Sequence, residues 1–162
     1  MSRPTAAAVV KLAKSQIGYK APGPGKRNKY AAYIDSHFPT YYNGKKNGTD
    51  WCAEFVDYLV LKLAQSAKDA EYVMCSPSRS CGAGVGWDWK YFKSKKRTSS
   101  TPHMGDVIFL NKLKHEGIVT KTDAKYVWYV AGNEGGGHGE VKYHKLLKTN
   151  SKIYGYGRPR YA

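Results

Sequence analysis

No stretch of this chain is apolar for long enough to cross a membrane. Its start, Met1-Ser2-Arg3-Pro4-Thr5-Ala6, lacks the charged region, continuous apolar core and small-residue cleavage site of a secretory signal. Cysteine is scarce. The three residues form an odd set, which excludes a disulfide framework, and although Cys75 and Cys81 could close a small loop, a chain without an export signal is expected to keep them reduced. A zinc site would need closer spacing and more ligands than these cysteines offer. Acidic residues are also few: 12 Asp and Glu stand against 27 Lys and Arg, a formal net charge of +15. Such an excess concentrates polyanions, whether nucleic acid, anionic lipid or a phosphate-bearing wall, without choosing among them. Internal repeats and low-complexity tracts are missing too. What remains is 162 residues, 41% hydrophobic and 14% aromatic, which excludes disorder and fits one folded domain spanning 1–162.

The stretch around which the rest is organised is Asp50-Trp51-Cys52-Ala53-Glu54-Phe55-Val56 and its continuation to Leu63. Apolar residues at 52, 55, 56, 59, 60 and 63 follow helical spacing, so one face is greasy and Cys52 opens it. Breaker residues at 43–49 precede Asp50, which reads as the N-cap. A thiol in the first turn of a helix meets unpaired N–H groups and the positive end of the dipole, which favour the nucleophilic thiolate. Taken alone, Cys52 reads first as a small buried residue on a core stripe, so partners elsewhere must shift that reading.

Upstream, Pro4 and Thr5 begin a helix that buries Ala6, Val9, Val10, Ala13 and Ile17 and stops at Gly18. Residues 21–26 read as loop, and residues 27–38 as a short helix carrying Tyr30, Ala31 and Ile34. Downstream, residues 66–85 mix Ser, Pro and Gly and read as irregular, before a short aromatic helix at 86–92. The basic run at 93–97 reads as a solvated loop. From Gly105 the pattern turns to strands at 106–110, 117–120, 126–130, 140–143 and 153–156. Helices first and an antiparallel meander second predict an α+β fold.

His115 opens the second of these strands and Asn133 closes the third. With a three-residue turn at 123–125, Thr122 lies opposite Tyr126, and the ladder then sets His115 opposite Asn133 on one face. A turn of two or four residues would put them on different faces. An imidazole beside a thiolate is its general base and later protonates the leaving amine, and an amide or carboxylate on the far ring nitrogen fixes the tautomer. Cys52, His115 and Asn133 fill those roles. The other histidines, His37, His103, His138 and His144, have no spacing that demands a function, and His138 reads as surface loop.

Taken in order, Trp51-Cys52-Ala53-Glu54-Phe55-Val56, Gly105-Asp106-Val107-Ile108-Phe109, His115-Glu116-Gly117-Ile118-Val119 and Gly132-Asn133 resemble the successive motifs of CHAP domains, the cysteine, histidine-dependent amidohydrolases/peptidases. The ending, residues 153–161, is similar to the close of CHAP domains in phage endolysins. The resemblance implies a papain-like α+β fold that cleaves amide bonds in the peptide of peptidoglycan. It also implies Cys52 as nucleophile, His115 as acid/base and the Cys52 backbone N–H in the oxyanion site. Many CHAP domains carry Glu two residues before the Asn, where this chain has Ala131. Asn133 is therefore the expected orienting residue, with Glu134 as the alternative if a bulge at Gly132 turns it to the same face. Some CHAP domains hold calcium in an acidic loop ahead of the cysteine. Here that loop carries Lys45 and Lys46 with only Asp50 acidic, so no calcium or other cofactor is predicted.

The expectation is a monomeric peptidoglycan hydrolase of endolysin type, either N-acetylmuramoyl-L-alanine amidase or peptide endopeptidase. It would be made in the cytoplasm and act on the wall after release, with its positive charge holding it to an anionic envelope. Loops at 22–26 and 76–84 are expected to carry the subsites. Two other classes fit parts of the sequence. A basic nucleic-acid binder explains charge and Tyr content but not the placement of His115 and Asn133. A catalytically inactive wall-binding protein would explain the missing carboxylate at 131.

Overall fold

Polar side chains cap three of the helices in the computed structural model, which describes residues 2–77 and 81–162. Thr5 Oγ1 accepts from the Ala8 N–H and opens α1 (Ala6–Ser15). Asn28 Oδ1 accepts from the N–H groups of Tyr30 and Ala31 and opens α2 (Lys29–His37). The long apolar stripe becomes α3 (Cys52–Ala64), which ends on Gln65 in the left-handed region. Residues 66–85 are not irregular throughout: Ser66 Oγ accepts from the Asp69 N–H and starts α4 (Ala67–Met74), with Ala70, Val73 and Met74 buried. The aromatic helix is α5 (Val85–Ser94).

The strands are β1 (Thr98–Ser99), β2 (Val107–Leu110), β3 (His115–Thr122), β4 (Tyr126–Glu134), β5 (Glu140–Leu147) and β6 (Ile153–Gly157). They form one antiparallel sheet in the order β1-β6-β2-β3-β4-β5. The meander from β2 to β5 matches the sequence pattern. β6 then returns to the free side of β2, and the two-residue β1, too short to leave a periodic signal, completes that edge.

α3 packs across β3 and β4. Its Phe55, Val56, Leu59 and Val60 join Val107, Phe109, Ile118 and Val130 in the main core, all fully buried. Burial of each such side chain contributes about 1.5–3 kcal/mol. Alternation sends Ile108, Leu110, Val119, Val127 and Tyr129 to the other face, where they form a smaller core with Tyr156. Strands β2 to β4 are therefore apolar on both sides and hold the end of the sheet at His115 in a fixed position.

Two register shifts decide what faces what at that end. Thr122 pairs with Val127, so the β3–β4 turn is one residue longer than the sequence reading supposes. An irregularity between Val119 and Lys121 takes up the extra residue and restores Val119↔Tyr129 and Ile118↔Val130. Between β4 and β5 the pairing passes from Ala131↔Lys142 to Glu134↔Glu140, an extra residue on β4, and Asn133 takes a left-handed φ of 55° there.

Candidate active site

The site is built from the residue that precedes the cysteine. Trp51 is completely buried, with its ring 5.6 Å from that of Tyr30 and its indole N–H donating to the His138 carbonyl at 3.2 Å. Opposite lies Gly132 of β4, where a Cβ would come within 2.6 Å of the indole. Only glycine lets the end of β4 approach Trp51 this closely. The start of α3 is thereby fixed against the bulged end of β4.

Trp51, not Asp50, occupies the N-cap position, and it supplies no side-chain capping bond. The Asp50 carboxylate instead accepts from Asn133 Nδ2 at 3.1 Å, away from the helix start. First-turn N–H groups of α3 thus lack a side-chain acceptor from the cap. Cys52 begins the helix with 6% exposure, and the backbone N–H groups of Glu116 and Ala53 interact with its sulfur and favour the thiolate. Burial outweighs them. It pushes the thiol up to about 12, and the nearby Glu54 and Asp88 add to the rise, so the helix terminus alone does not ionise Cys52 as its position in sequence suggests. A base must take the proton.

His115 stands at the opening of β3, the residue before Glu116, and lines the same hollow as Cys52. The bulge carries Glu134 round to it: Glu134 Oε1 lies 3.4 Å from His115 Nε2, close enough for ionic attraction though short of an aligned hydrogen bond. Its other oxygen, Oε2, is hydrogen-bonded to His144 Nε2. Burial by itself would raise the Glu134 carboxyl, but the two imidazoles prevail and hold it down at about 2. Asn133 makes no hydrogen bond to His115. Its amide serves Asp50, and its Oδ1 is buried without a hydrogen-bond partner. Of the four candidates, the structure brings Cys52, His115 and Glu134 to one hollow, with Asn133 on its wall.

No family model and no curated protein matches this chain.

Two hollows flank Cys52. One of about 310 Å³ is lined by His115, Asn133 and Glu134, and one of about 360 Å³ by Ala83, Gly84, Val85 and Leu113; Asp50, Cys52 and Lys114 border both. A chain of amide-linked residues can cross the sulfur from one to the other. Of the expected subsite loops, residues 22–26 line neither hollow, residues 83–84 line the second, and residues 78–80 lie outside the described part. The β2–β3 turn was missed. Asn111, Lys112 and Leu113 are successively left-handed, at φ 53°, 55° and 64°, and this conformation sets Leu113 and Lys114 at the cleft. No glycine announces that turn. His144 was missed because it lies a hairpin away from Glu134 and shares no local spacing with the other candidates.

Behind Cys52 lie four buried carboxyls, on Glu54, Asp57, Asp88 and Glu116. Burial pushes all of them up, Glu54 to about 9, while Tyr42 and Tyr41 donate to Asp57 at 2.6 and 3.4 Å. Protonation of these groups removes negative charge that would otherwise oppose a thiolate in front of them. Cys75 and Cys81 are buried and unpaired.

Proposed function

We propose that this protein is a cysteine hydrolase of the papain-like, CHAP type that cleaves amide bonds in the peptide part of peptidoglycan. The observation that carries the proposal is the convergence of Cys52, at the first turn of α3, with His115 and the Glu134 carboxylate in one hollow.

On this reading His115 Nε2 faces Glu134, which leaves Nδ1 for the sulfur. His115 takes the Cys52 proton, and burial makes the resulting thiolate–imidazolium pair dependent on the Glu134 charge. The thiolate attacks the amide carbonyl, and the developing oxyanion is met by backbone N–H groups at the start of α3. His115 then delivers its proton to the leaving amine, and water, activated by the same imidazole, releases the acyl group. Glu134, rather than Asn133, orients the imidazole. Asn133 ties the loop before Cys52 to β4. The positive charge of the chain, +15, is the proposed means of holding the enzyme to an anionic envelope.

Digestion of purified peptidoglycan by the wild-type chain and by Cys52→Ala, with mass spectrometry of the released fragments, tests the proposal. Fragments from the wild type alone support it, and their new termini separate amidase from endopeptidase. No release from walls of several chemotypes refutes it.

A further inference from the structure

Glu134 has two imidazole neighbours, and only one of them has a part in the proposed reaction. Its Oε2 engages His144 Nε2 in the tighter contact, while Oε1 stands 3.4 Å from His115 Nε2. We infer, resting on the hydrolase reading, that His144 is a positioning residue: it grips one carboxylate oxygen of Glu134 so that the other is presented to His115.

The placement of Glu134 makes such a grip necessary. It is the last residue of β4, beyond the bulge, and an exposed run, Gly135-Gly136-Gly137, follows it. A three-torsion side chain at such a point has little to stop it turning to solvent. His144, by contrast, sits within β5, paired with Tyr129, and its ring stacks on the buried Tyr129 ring with centroids 5.1 Å apart. By strand alternation it shares the sheet face of Tyr129 and Ala131, the face to which His115 also belongs through Val119. The charged or titratable groups around it are Glu134 and Tyr129 from β4 and His115 from β3. On its own strand, Lys142 has its Nζ 3.4 Å from Glu140 Oε1. Among the described residues, no other carboxylate pairs with either imidazole. His144 therefore holds the one carboxylate that the described residues set beside His115, from a rigid element, and an imidazole Nε2–H can donate to it whether the ring is neutral or charged. No bond is made or broken at His144.

The test compares His144→Gln, which keeps an N–H donor, with His144→Phe, which keeps a ring against Tyr129 but removes the donor. Two readouts are taken from the full chain: steady-state hydrolysis of wall fragments, and the rate of Cys52 alkylation by iodoacetamide against pH, localised by peptide mass. His144→Phe is expected to lose roughly 10- to 100-fold in kcat with KM little changed, as for a misplaced catalytic group. It should also lose the part of Cys52 alkylation that precedes free-thiol ionisation, and His144→Gln should recover most of both. If Phe and Gln variants behave alike, or both match the wild type, His144 does not position Glu134. If wild-type Cys52 itself shows no alkylation below the free-thiol range, the Cys–His reading fails first and takes this inference with it.

Discussion

Asn133 and Glu134 are neighbours in sequence and have opposite surroundings: the amide turns to an aspartate outside the reaction, the carboxylate to two imidazoles. On the proposed mechanism Glu134→Gln should lower kcat by 10²-fold or more, roughly the loss expected when a general base is disabled, whereas Asn133→Ala should act mainly on stability. Kinetics of the two variants side by side decide it, and a larger kcat loss in Asn133→Ala would reverse the assignment. The buried carboxyls make a separate prediction. Glu54, at about 9 when folded and near the ordinary carboxylate value of 4.5 when unfolded, holds a proton in the native state that the unfolded chain has lost. Unfolded Glu54 binds fewer protons than folded Glu54 across that interval, so stability falls as pH rises from roughly 5 to 9, by up to about 1.4 kcal/mol per unit. Glu134, lowered to about 2, works in the opposite sense and below that window, stabilising above 4.5 and losing its contribution as pH drops toward 2. Thermal midpoints from pH 5.5 to 8.5 should decline in the wild type and decline less steeply in Glu54→Gln, where the other raised carboxyls still act; a wild-type midpoint that climbs over this range contradicts a protonated Glu54. That Cys52 and His115 are candidates to meet was legible from residue type, spacing and order, and the structure sets both at one hollow. Which of 133 and 134 lies beside the histidine was not legible, because the answer rests on one extra residue in a ladder.

At the scale of elements, what could be read were the patterns that repeat. The apolar stripe of α3 and the alternation in β2 to β4 announce themselves because each buried position reinforces the last. α4 carried a weaker signal, Ser66 with Asp69 three residues on and apolar residues at 70, 73 and 74, and the Ser, Pro and Gly residues that follow obscured it. The irregularity at Thr120 and the bulge at 131–134 have no spacing signature; they arise where hairpin length and side-chain face conflict and the backbone yields. The β2–β3 turn is the extreme case. Leu113 at φ 64° occupies a conformation that costs an L-residue of this kind about 1–2 kcal/mol, and the turn holds it at the wall of one hollow. Leu113→Gly should relieve that cost and hold or raise the thermal midpoint while raising KM for wall fragments through loss of the apolar wall. A variant that is less stable with unchanged KM would show that Leu113 supports the fold and not the substrate.

For the molecule as a whole, the excess of 27 basic over 12 acidic residues bears on where it goes more than on how it folds. If charge holds the protein to an envelope, lysis of whole cells or sacculi should weaken steeply as ionic strength rises from about 0.05 to 0.5 M, since screening shortens the reach of surface charge from more than 10 Å to a few. Cleavage of a small uncharged peptide fragment should change little over the same range. Turbidity clearance and fragment release measured together give the comparison, and clearance indifferent to salt would remove charge as the anchor.

The outer side of β5 adds a consequence of its own. Near the candidate active site this edge is covered, because Gly18 donates its N–H to the Val141 carbonyl, Val141 donates to the Tyr19 carbonyl and Ala21 donates to the Gly139 carbonyl. Beyond that point no strand among the described residues pairs with the outer edge of β5, and Tyr143 and Leu147 are 40% exposed there, interleaved with Lys145 and followed by Lys148. An open strand with apolar side chains is a template for a second molecule, and repelling lysines are a common safeguard against that pairing. The salt that would release the protein from a charged surface would also quiet this repulsion, so concentrated stocks kept in high salt should be the first to turn cloudy.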